Sequence, residues 1–443
     1  MKKLLILVLI ISIVLMIGCT VENIVSNSEI HKHNEITIVT YNDTYKKYPV
    51  LQGYIDKFQL ETGIKVKIDA IEANTYDDYI KKLNTKLYFK KGPTLILFSE
   101  SENYSKYIDN GVALNVKGRI NNYKKIYNSL KYKDSFVPIG MTYVATILNK
   151  NLLEELGMKE PNFNWTNKEY LHIKKKWLEE EPRYFNITEY KDIVVNPLNR
   201  LEIIDKDKKI VTLNNLKVKN VIKDAQKKIF SDNYIINSKY SYMDYYEMFF
   251  DYDSDKYLKS MRKDYHYENR NKVLKYRFGI NGLKTLVTST KMKKENLLIL
   301  PRIDKDIGLK TWGFIVNKNG KNVEIGMKFL DGLLSDEVQL LMFNFSTYGG
   351  YPVNKNIEDK ISKIERKNNV SKKAIELRKY ILKKIKAGIY KPYRQIDSVK
   401  YEFQLMLHKD LMKLIFTDKL YTDEELSMEL QKLENKYNIW LNE

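Results

Sequence analysis

Two observations predict an α/β fold in two lobes: the alternation of strand-like and helical patterns between residues 36 and 98, and the amount of chain available. Strand, helix, strand, helix, strand follow one another within about 60 residues, which implies right-handed crossovers and a mostly parallel sheet. Removing residues 1–18 from 443 leaves 425, more than one ordinary core organises and natural for two domains of about 150 to 250 residues each. The 43% hydrophobic content supplies apolar residues for such cores. A single cysteine, Cys19, leaves no intramolecular disulfide to help them.

Residues 1–18 are set apart by their layout. Met1, Lys2 and Lys3 are followed by an apolar run over 4–17 broken only by Ser12, then Gly18 and Cys19. This is the order of a signal peptide. At about 1.5 Å rise per residue the run reaches about 21 Å, short of a hydrocarbon core about 30 Å thick. Gly18 before Cys19 resembles the lipobox of bacterial lipoproteins, which implies acylation of Cys19 and a membrane anchor on the extracytoplasmic face. Residues 19–35 are polar and without periodicity, as in a tether. The formal charge of +20 falls to +18 once Lys2 and Lys3 leave. Export argues against nucleic acid as the partner of that charge, leaving anionic wall polymer, lipid headgroups or scattered solvated lysines. His31-Lys32-His33 lacks a nearby cysteine or carboxylate pair, so no metal site is assigned.

The elements follow in order. Residues 36–41 form a β-branched strand. Val50, Leu51, Tyr54, Ile55 and Phe58 fall at helical spacing until Gly63. Residues 64–71 alternate as a strand, and Thr75 with Asp78 starts a helix carrying Tyr79, Ile80, Leu83 and Leu87 on one face. Residues 93–98 form a continuous apolar strand. Ligands of such sheets sit beyond the carboxyl ends of the strands, which places Tyr41, Asn42, Asp43, Glu72, Asn74, Ser99 and Glu100 at one rim. Further on, a helix is predicted over 214–231. The aromatic cluster at Tyr240, Tyr242, Tyr245, Tyr246, Phe249, Phe250 and Tyr252 suits either a sugar-lining surface or, more simply, a core helix face. Asp251, Asp253 and Asp255 have calcium-loop spacing, but Lys256 and Arg262 stand where glycine and glutamate are needed. Strands at 276–281 and 314–316, a helix from Val323 to Leu334 and helices from Ile357 onward complete the chain, the last capped by Thr422 with Glu425.

These residues resemble the extracellular solute-binding proteins of ABC importers, family 1, which includes maltose-binding protein. The resemblance rests on the 36–41 strand, the helix ending Glu61-Thr62-Gly63-Ile64-Lys65-Val66, the run Pro93-Thr94-Leu95-Ile96-Leu97-Phe98, and FVPIGMTYVATILNKNLL over 136–153 as a first crossover. Gly157, Pro161 and Trp165 continue it, as do Thr311 to Lys318 and Gly349-Gly350-Tyr351-Pro352-Val353 as returns. It implies a periplasmic-binding-protein-like fold, each lobe a mostly parallel sheet flanked by helices, with a multi-strand hinge between them. Lobe 1 would comprise 36–140 plus 311–352, and lobe 2 141–310 plus 353–443.

The resemblance also implies a function without catalysis, cofactor or metal: a monomeric, lipid-anchored receptor that captures a mono- or oligosaccharide in the cleft and delivers it to permease transmembrane subunits. The residues expected to touch solute are Trp312, Tyr41, Asn42, Ser99, Glu100, Tyr143 and Tyr348, while Trp165, Trp177 and Trp440 are expected to be structural. Two alternatives stand beside it. One is an exported glycosidase using rim carboxylates such as Asp43, Glu72 and Glu100, for which no GxSxG, HExxH or P-loop speaks. The other is a surface sensor or adhesin that keeps the fold without transport.

Overall fold

The computed structural model describes residues 34–443 except 89, 101, 181, 206–207, 252–253, 262–276, 281–296, 304–308, 346–349, 369, 371 and 393–397. Cys19, the His31/His33 pair and Tyr348 lie outside the described residues.

The opening alternation is present. Strand β1 (Glu35–Tyr41) leads through helix α1 (Pro49–Thr62) to β2 (Lys65–Ile71), then through α2 (Tyr76–Tyr88) to β3 (Leu95–Phe98). Helix α1 has Pro49 at its first turn and ends at Gly63, whose φ of 68° is the left-handed conformation that glycine adopts without a Cβ clash. The Thr75 hydroxyl accepts from the Asp78 amide and caps α2. β1 pairs in parallel with both β2 and β3.

The sheet then changes character. β4 (Phe136–Asn149) is 14 residues long and serves two sheets. Its first half pairs antiparallel with β7 (Leu309–Val316), which in turn pairs antiparallel with β3. Its second half pairs antiparallel with β5 (Arg277–Ile280) and β6 (Leu297–Pro301). A short β8 (Tyr351–Pro352) pairs with β4 at Met141 and Gly140. The expected parallel pairing holds for β1, β2 and β3 and for a short pair between residues 183–184 and 234–235, whereas β5 and β6 run antiparallel to β4. The reason is directional: β4 leaves the first lobe and β7 returns to it, so adjacent crossing strands run in opposite senses.

Where these crossing strands touch, the backbone approach is close. The β4–β7 register shifts between Trp312 and Gly313, and a Cβ on Gly313 would lie 2.2 Å from the Val137 carbonyl oxygen. Gly350, at φ 76°, leads into β8 against Met141. Glycine is required at both places.

Apolar packing divides into cores. One face of the first sheet buries Ile36, Ile38, Leu97 and Phe314 against α1 and against α6 (Val323–Leu333). Its other face buries Val39, Ile96, Phe98 and Ile315 against Tyr79 and Leu83 of α2. A separate core in the second lobe gathers Phe185, Tyr190, Ile222, Tyr245, Leu411 and Tyr437. It is built from α4 (Leu216–Ile229), α5 (Tyr242–Phe250), α10 (Ser398–Ile415) and α11 (Asp423–Asn442). Both members of the predicted Thr422–Glu425 capping box are formed on α11.

The aromatic cluster is a core helix face: Tyr245 and Phe249 of α5 are buried, with Tyr245 stacked on Phe416 at 4.7 Å. Trp165 and Trp177 are buried beside Leu148 and Leu300, with Trp165 Nε1 donating to the Pro301 carbonyl at 2.7 Å on a flank held by α3 (Asn167–Glu180). Trp440 packs on Phe403.

Helices α8 (Glu358–Lys367) and α9 (Lys372–Lys386) follow β8. Their buried residues Ile361, Leu377, Ile381 and Ile385 join the core of Ile36 and Leu97. The Tyr127 hydroxyl donates to Glu358 at 2.6 Å and the Ser129 hydroxyl to the Ile385 carbonyl at 2.7 Å. α9 also packs beside β6, so this hairpin buttresses the crossing region.

Candidate functional site

Polar side chains collect where the rim of the first sheet meets the crossing strands. β3 ends at Phe98, and the next two residues, Ser99 and Glu100, are half-buried. The Glu100 carboxylate accepts from the Thr142 hydroxyl of β4 and faces the ammonium groups of Lys310 and Lys47. Thr142 and Lys310 are register partners across β4 and β7, so both crossing strands contribute to this group. Burial raises the Glu100 pKa above the usual carboxylate range, against the pull of Thr142 and the two lysines.

Glu102 holds the loop behind it. Its Oε2 accepts from the Ser99 amide at 2.6 Å, and the Ser99 hydroxyl also bonds to it. The side chain is buried, and Oε1 has no hydrogen-bond partner. Burial again raises its pKa, against Ser99 and the Lys47 charge. Together these contacts fix Ser99 and turn Glu100 toward the crossing strands.

The other predicted residues have different surroundings. Tyr41 is half-buried, its ring 4.8 Å from Tyr79 and edge-on to Tyr76 at 5.8 Å. Asn42 is left-handed, φ 42°, and its amide is committed: Nδ2 donates to the Ala73 carbonyl at 3.1 Å and Oδ1 accepts from the Ala73 amide at 2.9 Å. It ties the β1 rim loop to the β2 rim loop. Trp312 is 1% exposed, stacked on Tyr48 at 3.9 Å with an interplanar angle of 13°. Tyr143 is 1% exposed, stacked on Tyr390 at 5.5 Å, and its hydroxyl accepts from the Arg302 amide.

Trp312 and Tyr143, the crossing-strand aromatics expected to touch solute, are thus both buried against other rings. Strand alternation puts Met141 and Tyr143 on the core face and Thr142 on the other. Trp312 alternates with Phe314 and Val316 and shares their buried face. Thr142, Lys310 and Lys47 went unrecognised in the sequence. The period-2 pattern offered a signal, because a buried Tyr143 obliges Thr142 to face the opposite way. Among the described residues, no three His, Cys, Asp or Glu side chains converge as metal ligands, and no helix is long and apolar enough to cross a membrane.

Two cores strung on antiparallel crossing strands, with polar groups at the junction, can hold a small molecule against both. Residues 53–231 match the family model of bacterial extracellular solute-binding proteins. Solved structures that align over more than nine-tenths of this chain share its fold. A bacterial solute receptor, AcbH, described as having an exclusive preference for β-D-galactopyranose, aligns at TM-score 0.58 and 12% identity, over 92% of this chain and 98% of that one. The cyclic α-maltosyl-1,6-maltose binding protein of Arthrobacter globiformis aligns at TM-score 0.54 and 14% identity, over 92% and 99%. An ABC substrate-binding protein of Listeria monocytogenes in complex with cycloalternan aligns at TM-score 0.51 and 14% identity, over 93% and 99%. No curated protein sequence matches the chain.

Proposed function

We propose that this chain is the solute-binding receptor of an ABC importer, anchored through acylated Cys19 on the extracytoplasmic face. It captures a mono- or oligosaccharide between its lobes and hands it to permease transmembrane subunits. The observation that carries the reading is the junction itself: Glu100 from the first sheet's rim, with Thr142 and Lys310 from the two strands that run between the lobes. Solute hydroxyls that bond to this group and to the second lobe at once favour a closed arrangement, because the ligand's differential contacts select it. Capture of this kind makes and breaks no covalent bond, so Glu100 serves as a hydrogen-bond acceptor and not as an acid or nucleophile. The sugars named for the structural relatives support carbohydrate as the solute class.

The test is a thermal-unfolding screen of the chain against mono- and oligosaccharides, with amino acids and peptides as controls. A ligand at 100 times its dissociation constant stabilises by about 2.7 kcal/mol, enough to raise the melting temperature of a lobe of about 150–250 residues by several degrees. A saccharide-specific rise with the saccharide recovered intact is the expected result. A rise only with peptides or amino acids, or breakdown of the saccharide, refutes the proposal. Metabolic labelling with palmitate tests the anchor: label is expected on the native chain and lost in Cys19→Ser.

A further inference from the structure

The hairpin of α8 and α9 carries a second polar surface away from the Glu100 junction. Residues 358–386 contain eleven Lys or Arg and four Asp or Glu, a concentration of the chain's positive charge. Between the two helices lies a groove of about 700 Å³ lined by Ser362, Arg366, Arg378, Lys379, Lys383 and Lys386, among others. It runs on into a second hollow of about 450 Å³ that shares Arg366 and Lys379 and adds Lys372.

The charges in this groove are sorted along its length. The helices are antiparallel: Glu358 pairs with Lys386 at 2.8 Å near one end, and Glu365 with Arg378 at 2.6 Å toward the other. Glu358 and Asp359, the carboxylates lining the groove, sit on the first turn of α8. Arg366 lies seven residues beyond Asp359, about 10 Å at the helical rise. On α9, Lys379, Lys383 and Lys386 follow at spacings of four and three and form one stripe. Lys379 and Lys383 are exposed, and neither forms an ion pair with a described carboxylate. Glu376 is the carboxylate of the second hollow.

The floor of the groove is polar and buried. Arg378 is 1% exposed, donates to the Ser362 hydroxyl at 3.2 Å, and has its Nε buried without a hydrogen-bond partner. Like charges at helical i, i+4 spacing repel one another, so the stripe gains when an anion lies across it. A multivalent oxyanion suits these donors, since guanidinium and ammonium groups bond phosphate oxygens by charge-assisted hydrogen bonds.

The geometry points to a binding site for a phosphate-bearing ligand in the α8–α9 groove, held by Arg366, Lys379 and Lys383 over the Arg378–Ser362 floor. Phosphate chemistry reaches an exported protein as a free phosphate ester or as a lipid headgroup, and the groove recognises what the two share.

Calorimetric titration of the full chain with inorganic pyrophosphate, and separately with short-chain phosphatidylglycerol below its micelle concentration, tests this. Saturable binding is expected, weakened at least tenfold in Lys379→Gln/Lys383→Gln and in Arg366→Gln. It should be unchanged in Lys57→Gln/Lys65→Gln, which removes the same charge from the first lobe. Four of the five side chains are exposed and Lys57 is half-buried, so folding is expected to be retained, and the melting temperature checks this. Stronger binding of the lipid identifies a headgroup as the source; equal or stronger binding of pyrophosphate identifies a soluble phosphate. Absence of saturable binding to both, or equal weakening by the Lys57/Lys65 pair, overturns the site.

Discussion

Replacing Trp312 by alanine separates a packing role from a ligand-contact role. The indole is 1% exposed and stacked on Tyr48, itself 4% exposed, at 3.9 Å. Truncating a buried tryptophan to alanine costs about 3–5 kcal/mol, the lost transfer free energy plus the cavity left behind. Of this, about 0.5–1.5 kcal/mol belongs to the ring pair beyond its buried area. For a lobe of about 150–250 residues each kcal/mol moves the melting temperature by about 2–4 °C, so Trp312→Ala is expected to lower it by about 6–20 °C. Differential scanning calorimetry of Trp312→Ala, Tyr48→Leu and the double variant supplies the check. The two single effects should fail to add, by about 0.5–1.5 kcal/mol, because each removes the same stack. Trp312→Phe should recover much of the loss. A melting temperature within about 2 °C of the parent, combined with lost solute binding, would refute the argument and show an indole that faces solute.

Other outcomes test the remaining parts. Glu100→Gln should weaken solute binding by about ten- to one-hundredfold, since hydrogen bonds to charged groups are worth about 1.5–3 kcal/mol, with little change in melting temperature; unchanged affinity by titration calorimetry would remove Glu100 from the site. Lys174 is nearly fully buried between Glu189 and Asp192, at 2.7 Å from each. Burial lowers its pKa, yet the two carboxylates carry it above the ordinary range. Lys174→Met leaves those charges uncompensated and should cost about 3–5 kcal/mol in denaturant unfolding.

His408 is buried, stacked on Phe250 at 5.2 Å, and burial, then the Lys191 charge, lower its pKa to about 4. Between that value and the ordinary 6.5 the unfolded chain binds a proton that the folded chain does not. Stability therefore falls as pH drops through this window, by up to about 3 kcal/mol. His408→Phe should flatten the acid limb of a plot of stability against pH; an unaltered limb would assign it to other groups.

Much of the first lobe was legible in the residues because its signals are local. The β-branched run 36–41, the Gly63 helix stop, the Thr75 cap and the Thr422–Glu425 box each depend on a few neighbours, and each forms as read. The rim position of Glu100 also followed from local order, since a residue after a buried strand falls at the sheet's carboxyl edge. The sequence by itself thus determined the strand–helix order, the helix ends and the α/β class.

The tertiary structure alone decided which face of a crossing strand a side chain takes, and what it meets there. The indole of Trp312 stacks on Tyr48, more than 260 positions away in sequence. Long-range strand pairing placed Thr142 opposite Lys310 and brought both to Glu100. It also drew Ile361, Leu377 and Ile385 into the first core although the chain reaches them after the last return strand. Register and bulges depend on close backbone approach between distant segments, and a one-residue slip exchanges buried for exposed. Composition and periodicity carry no record of that choice.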